Sequence, residues 1–370
     1  MNTAQRLPAS LTALEAALAA LLDDLEPVAA TDLPLREALG CVTAEMTPVG
    51  AHPPHNAASV DGWALRASDL VGASAYSPLP LTTARWVEAG DPMPDGCDCV
   101  IDADGIDQSG PISQVVTDVP PGHGVRRRGA DFPDGFMIPP GFPLRPLDIL
   151  FARAAGLEKM RVRRPRLRVV NVPAANGDTG TAQLIHGVTR GAGADVTFAT
   201  VKSRDAASIA VELETTACDL LVTIGGSGVG RTDATVLAIG QRGEVIAHGL
   251  ALRPGTTSAI GRIKDTPVVA LSGSAASAMA TWWTLGLPVL DRLSVRQPRE
   301  VTILPLARKL ASTVGIAEIA LLEKDNDSWM PLALGDLPFQ AILKASAWLA
   351  IPGNSEGFAA GTPVGAYMLT

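Results

Sequence analysis

The sequence predicts a multidomain α/β and β protein, and three observations point there. From residue 167 to 224, β-prone runs alternate with helix-period segments, the pattern of a parallel sheet with helices on both faces. Between residues 47 and 139, proline and glycine punctuate brief β-prone runs, as in a compact β domain. At 370 residues the chain exceeds what one hydrophobic core serves, so two to four domains are expected.

In chain order, Leu11 to Leu25 spaces its apolar residues as a helix does. With Arg6, Glu15 and Asp23 nearby, the start reads as amphipathic rather than as a signal peptide. Pro34-Leu-Arg-Glu-Ala-Leu-Gly40 is a short helix stopped by its glycine. Strands are expected at Leu81–Val87 and Ser113–Val119, and Pro143 to Gly156 returns to helix. The return makes residues 47–139 a β module inserted into a helical and linker domain, 1–46 and 140–165. Arg161-Val-Arg-Arg-Pro-Arg-Leu-Arg168 reads as a basic, solvated hinge.

An α/β domain then spans 166–297. Its strands are expected at Leu167–Val172, Asp195–Thr200 and Leu220–Ile224, and its helices at Ala182–Gly191 and Ala206–Thr215. Thr266 to Leu290 carries no charge and is long enough to cross a bilayer. Pro267, Gly273, the serines and Pro288 instead divide it into a strand, a Ser-Gly-Ser turn and a buried helix. Past Pro298, Val301-Thr-Ile-Leu-Pro305 and a proline- and glycine-punctuated tail form a small C-terminal β domain, 298–370.

Composition narrows the partners. Hydrophobic residues make up 47% and charged ones 18%, which excludes a disordered chain. A net charge of −8 opposes a polyanionic partner, so no nucleic acid is expected and any phosphate must be met locally. Cys41, Cys97, Cys99 and Cys218 lack metal-ligand spacing, and buried thiols in a reducing, cytoplasmic setting are expected.

The strongest chemical signal is Asp219-Leu-Leu-Val-Thr-Ile-Gly-Gly-Ser-Gly-Val-Gly-Arg-Thr-Asp233, an apolar strand running into a glycine cluster closed by an acid. Gly225, Gly226, Gly228 and Gly230 permit φ > 0 and close approach of a ligand to bare N–H groups. A following helix N-terminus would add partial positive charge, which suits phosphate. The alternative is a tight strand-to-helix turn, because the spacing fits neither a Walker loop nor a dinucleotide fingerprint.

Other segments join it in order. Pro53-Pro-His-Asn-Ala-Ala-Ser-Val-Asp-Gly-Trp-Ala64 resembles Pro-Pro-x-x-Asn-Ser-x-x-Asp-Gly-Tyr-Ala of the molybdopterin molybdenumtransferase family, which includes the C-terminal domain of gephyrin. Gly90-Asp-Pro-Met-Pro-Asp-Gly-Cys-Asp-Cys-Val-Ile101, Arg128-Gly-Ala-Asp131, Gly225 to Asp233, Pro254-Gly255 and Leu271-Ser-Gly-Ser-Ala275 resemble further motifs of that family. The resemblance covers nearly the whole chain. It implies an elongated homodimer and molybdopterin, or adenylylated molybdopterin, as ligand. It further implies insertion of molybdate with loss of the nucleotide, a use for Mg²⁺, and an apo-molybdoenzyme or an upstream biosynthetic protein as partner.

Carried over residue by residue, the resemblance makes Asp61, Asp131 and Asp233 the acids of the site. Gly225, Gly226, Ser227, Gly228, Gly230, Arg231, Arg253, Pro254, Gly255, Ser272, Gly273 and Ser274 become the cofactor-binding set. Several positions depart. Where the family has Ser/Thr-Thr-Gly-Asp-Glu-Leu this chain reads Asn171-Val-Pro-Ala174-Ala175, so the acidic pair is missing. Lys-Pro-Gly-Lys-Pro becomes Arg253-Pro-Gly-Thr256-Thr257, which loses one cation. Pro-Gly-Asn-Pro becomes Ser272-Gly-Ser-Ala275, Asn-Ser becomes Ala57-Ala58, and Ala89 stands for threonine. The expectation is retained molybdopterin binding with slow or absent insertion unless Asp178, Arg231 or Arg253 compensates. Two classes stay open: an enzyme of cofactor synthesis, and a non-catalytic carrier, chaperone or scaffold.

Overall fold

The computed structural model describes residues 5–174 and 177–369, and the chain divides into two compact units. The larger comprises Met1–Ala44, Pro140–Arg145 and Lys159–Thr370; the smaller comprises Glu45–Pro139 and Pro146–Glu158.

A six-stranded sheet organises the larger unit. Its strands are β1 (Arg166–Asn171), β2 (Asp195–Thr200), β3 (Leu220–Ile224), β4 (Glu244–His248), β5 (Ala259–Ile263) and β6 (Thr266–Leu271). They lie in the order β2-β1-β3-β6-β5-β4. The first four are parallel neighbours, with Val169 opposite Phe198 and Val222, and Val222 opposite Val269. Parallel pairing needs long crossovers, which helices α1 (Gly180–Gly191) and α2 (Ala206–Glu212) supply between β1, β2 and β3. β5 and β6 run antiparallel, as do β4 and β5, so the sheet is mixed rather than parallel throughout. Only Lys264 and Asp265 separate β5 from β6, too few for a crossover. Lys264 takes φ +53 to close the hairpin, and it lacks the Asn-Gly or Asp-Gly cue that would reveal such a turn in sequence.

Both sheet faces are covered. Val169, Val222, Val269 and Leu271 pack with Ile185 of α1 and with Leu14 and Leu21 of the N-terminal helix Leu14–Leu22. Val170, Leu221 and Val268 pack on the other face with Ile209 of α2 and Ile239 of α3 (Thr235–Arg242). Each fully buried side chain of this kind contributes roughly 1.5–3 kcal/mol. Burial on both sides explains the nearly continuous apolar runs at Leu220–Ile224 and Thr266–Leu271.

After β6 the uncharged stretch divides into α4 (Ala275–Thr281), a π turn (Trp282–Gly286) and α5 (Leu287–Ser294). Gly286 leaves room for the Trp282 ring, which would lie 2.1 Å from an added Cβ. Among the described residues no helix is long and apolar enough to cross a membrane.

A seven-stranded sheet uses Val301–Pro305, Ala317–Asp325, Ser328–Leu334, Ala347–Ile351 and Pro363–Met368 of the C-terminal region. It also recruits Thr12–Ala13 and Leu250–Arg253, which pair in parallel with each other and, through Leu252 and Arg253, with Ala317 and Glu318. The basic segment is no solvated hinge. Lys159–Arg163 is the middle strand of a sheet with Thr31–Pro34 and Val42–Thr43, and Arg166 already opens β1. Four of its five arginines meet acids, Arg161 with Asp32, Arg164 with Asp195, Arg166 with Asp219 and Arg168 with Glu212, which spends their charge within the fold.

In the smaller unit, Gly62–Leu65 lies between Arg85–Val87 and Cys99–Ile101 in one three-stranded sheet. Gln114–Val115 lies between Leu79–Pro80 and Ile106–Asp107 in another. The expected strands at residues 81–87 and 113–119 shorten to these cores, and the helix expected at 143–156 runs Pro146–Ala154. Burial pushes the Cys99 thiol up to about 11, and Cys218 in the larger unit likewise to about 11.

Candidate functional site

At the carboxyl edge of the parallel strands, the turns after β1, β3 and β6 come together, the position where open α/β sheets bind ligands. The Val172 N–H donates to the Ile224 carbonyl at 2.8 Å and the Gly225 N–H to the Leu271 carbonyl at 2.9 Å, so the three turns start from one rigid line.

Two glycines in the β3 turn are conformationally required. Gly225 takes φ +91 and Gly226 φ +68, and a Cβ on Gly225 would lie 2.4 Å from the Val172 carbonyl oxygen. Gly228 and Gly230 serve a different purpose from the positive φ expected of them. A Cβ there would stand 2.6 and 2.9 Å from the Asp233 carboxylate, so both clear space for that acid.

The carbonyls of Gly226, Ser227 and Gly228 are engaged. Gln5 Nε2 donates to the Gly226 and Gly228 carbonyls at 3.0 and 2.8 Å, and His248 Nε2 lies 2.9 Å from the Ser227 carbonyl, which requires that nitrogen to carry the proton. A trans peptide points each N–H away from the carbonyl it shares, so the N–H groups of Ser227, Gly228 and Val229 face away from these braces. Among the described residues none of the three has a protein acceptor. The Ser227 hydroxyl is fully buried and donates to the Leu271 carbonyl at 3.4 Å, bracing the turn from inside.

The helix that follows contributes less than its sequence position suggests. Gln5 Oε1 accepts from the Val236 and Leu237 N–H groups at 2.8 and 3.2 Å, and Thr235 N–H donates to Gly226. Gln5 therefore caps α3 and shapes the turn at once. Asp233 accepts from the Gly230 N–H at 2.9 Å and from Arg204 Nη2 at 2.7 Å. Arg204 Nη1 also donates to the Pro173 carbonyl, tying the β3 turn to the β1 turn. Asp233 is thus a brace with its charge met by a largely buried guanidinium.

The β1 turn borders a cleft of about 40 Å³ walled by Val172, Ala174, Asp178, Thr181 and Ile224. Asn171, 2% exposed, lines it too, and among the described residues its Nδ2 has no hydrogen-bond partner. A buried donor left so costs about 1–3 kcal/mol. Asp178 Oδ1 accepts from the Gly180 N–H at 2.8 Å, and Thr181 donates to the Gly273 carbonyl at 2.8 Å, which joins α1 to the β6 turn. Ser272 and Ser274 share that turn, the Ser274 N–H reaching Ser272 Oγ at 3.4 Å. Ala174 is exposed; Ala175 lies outside the described residues.

The remaining sequence candidates sit elsewhere. Arg253 Nη1 lies 3.1 Å from the carboxylate of Glu318, which is 4% exposed and also accepts from Ser312 and Thr313. Gly255, at φ +133, packs on Leu252 and Thr281, beside Pro254. Thr256 Oγ1 donates back to the Leu252 carbonyl at 3.0 Å. Arg231 is exposed and makes no ion pair among the described residues. Asp61 and Asp131 belong to the smaller unit. Asp61 accepts from the Ala89 N–H at 2.7 Å, and Asp131 pairs with Arg126 and lies 3.7 Å from His52.

Among the described residues no three His, Cys, Asp or Glu side chains gather. With Asp233 engaged by Arg204 and Ala174 in the β1 turn, Asp178 is the other carboxylate on this edge among the described residues, which is fewer oxygens than a divalent cation wants. Sequence reasoning missed Gln5, Arg204, His248 and Glu318.

Two family profiles match the chain. One, described as "MoeA N-terminal region (domain I and II)", covers residues 12–156, and the other, described as "Probable molybdopterin binding domain", covers residues 173–292. Molybdopterin molybdenumtransferase 2 of Mycobacterium tuberculosis is 25% identical over 386 residues, 91% of this chain and 95% of its own. A Methanocaldococcus jannaschii protein named for molybdopterin biosynthesis is 24% identical over 385 residues, 95% of each chain. In fold, the crystal structure of the MoeA protein from Pyrococcus horikoshii superposes with a TM-score of 0.67 at 24% identity, covering 97% of this chain and 99% of that one.

Proposed function

The chain belongs to the molybdopterin molybdenumtransferase family and serves molybdenum cofactor biosynthesis, and from that premise we propose that it holds molybdopterin or its adenylylated form at the β1–β3–β6 edge. The observation that carries this is the row of N–H groups at Ser227, Gly228 and Val229, left without acceptors among the described residues while their carbonyl partners are fixed by Gln5 and His248. Successive amide donors in a rigid turn suit a phosphate oxygen. The ligand arrives as substrate. Asp233 and Arg204 keep the turn in place, and Gly228 and Gly230 keep the Asp233 carboxylate from being displaced.

Molybdate insertion is proposed to be slow. Ala174 offers no carboxylate, Thr256 is engaged with its own turn, and Arg253 is paired with buried Glu318, so among the described residues Arg231 is the one cation of the expected set left without an ion pair to meet a dianion. The carrier, chaperone or scaffold reading is favoured by this same loss of charge. A homodimer, with Asp61 and Asp131 of one chain facing the glycine turn of the other, is the assembly the family resemblance supports. A single-chain mass by light scattering at micromolar concentration would contradict it.

Binding is tested by titrating molybdopterin into Gly228→Val. Its Cβ would displace the Asp233 carboxylate, and affinity is expected to fall at least tenfold, about 1.4 kcal/mol, in a variant that still folds. Unchanged affinity would refute the turn as the phosphate seat.

A further inference from the structure

Resting on that reading, we propose that Asn171 is a ligand-reading residue, whose amide donates to a neutral acceptor, a ring carbonyl or ring nitrogen, on the heteroaromatic part of the substrate. Asn171 ends β1 in register with Ile224 of β3, at the carboxyl edge of the sheet. It is 2% exposed, yet its Nδ2 has no partner and it lines the cleft beside the glycine turn. Buried polar side chains are nearly always satisfied, so an orphan donor at a cleft points to a partner that comes from outside.

The walls narrow the class. Val172, Ala174 and Ile224 are apolar, and Asp178 brings a carboxylate to the same space. Such walls suit a flat ring edge and disfavour a dianion at this point, which leaves the phosphate to the neighbouring turn. A cleft of about 40 Å³, where about 10–15 Å³ suffices for one water, takes a few heavy atoms, so the edge of the ring rather than its whole reaches Asn171. Two functions then sit side by side: amides of the β3 turn for charge, and Asn171 for ring identity. A side chain kept for a ligand should also be dispensable to the fold, and that separates it from a structural asparagine.

The test uses the full chain with two probes: free pterin (2-amino-4-oxopteridine), followed by its own fluorescence, and pyrophosphate, followed by calorimetry. Asn171→Leu keeps the shape and removes the amide. The expected result is pterin affinity weakened at least tenfold, pyrophosphate affinity within about twofold of wild type, and a melting temperature unchanged or raised. Asn171→Asp, which turns the donor into an acceptor, should weaken pterin at least as much. Wild-type pterin affinity in Asn171→Leu would overturn the proposal, as would loss of both probes together with a lowered melting temperature. A wild-type chain that binds pyrophosphate but not pterin overturns this inference and spares the phosphate seat; one that binds neither overturns both.

Discussion

The turns after β3 and β1 leave adjacent parallel strands at one sheet edge, and they differ in how charge is used. In the β3 turn, Gln5, His248, Thr235 and Arg204 fix the backbone and its acid, leaving a row of amide donors. The β1 turn carries Ala174 where the resembling motif has a carboxylate, and keeps one unsatisfied amide at Asn171. Placement of neutral donors and supply of charge are therefore separable on one scaffold. Seating a phosphate needs the first; drawing in and processing molybdate needs both.

Three perturbations would break or sharpen this contrast. The largest effect is expected from Gly225→Val, which sets a β-branched residue at φ +91 with Cβ 2.4 Å from the Val172 carbonyl oxygen. Strain and clash together should cost about 3–5 kcal/mol, read as a drop in melting temperature. A shift under about 2 °C would show that the β3 turn is not pinned against the β1 turn.

Arg204→Ala comes next, because Arg204 joins the Pro173 carbonyl to Asp233. Losing a charged hydrogen bond on each turn should cost about 2 kcal/mol and loosen both. Faster amide exchange at 172–174 and at 226–233 together is the expected signature; loosening of one turn alone would mean that they are independent.

The smallest effect concerns pH. Burial raises the Cys99 and Cys218 thiols to about 11, above an unfolded value of about 8.5, so their contribution is complete below about pH 8.5 and is lost as pH rises toward 11. Hydrogen bonds from Thr216 and Thr215 lower Glu214 to about 2, so its contribution holds above an unfolded value of about 4.3 and is lost as pH falls toward 2. Thermal melts should show no slope from these groups between about pH 5 and 8, with slow declines outside. None of the three lies in either turn, so a strong slope inside that window would show that a further group titrates on folding.

Much of the scaffold was legible because its signals are local. β2 and β3 match Asp195–Thr200 and Leu220–Ile224 to the residue, β3 because a buried parallel strand is a short apolar run with sharp ends, and β2, an exposed edge strand, because its β-branched and aromatic residues mark it. The glycine cluster announced its turn. What escaped was long-range: Gln5 reaches Gly226 across 221 positions, Arg204 reaches Asp233 across 29, and Glu318 reaches Arg253 across 65. No periodicity encodes such partners. They also change the roles expected of named residues, turning Asp233 from an available acid into a brace and Arg253 from a free cation into half of an ion pair. Gly228 and Gly230 illustrate the same limit, because their need is for the volume beside Asp233 rather than for a dihedral angle.

The central claim, that this edge seats the substrate without the charge to process it, is tested most directly by molybdate-dependent release of nucleotide from adenylylated molybdopterin. Wild type is to be compared with the combined variant Ala174→Asp, Ala175→Glu, Thr256→Lys. One group aimed at developing charge is typically worth about 3 kcal/mol, roughly a hundredfold in rate. The account predicts tight binding by both proteins and release at least about a hundredfold faster from the variant. Wild-type release at the rate of an ordinary family member, or no gain in a variant that binds as well, would contradict it.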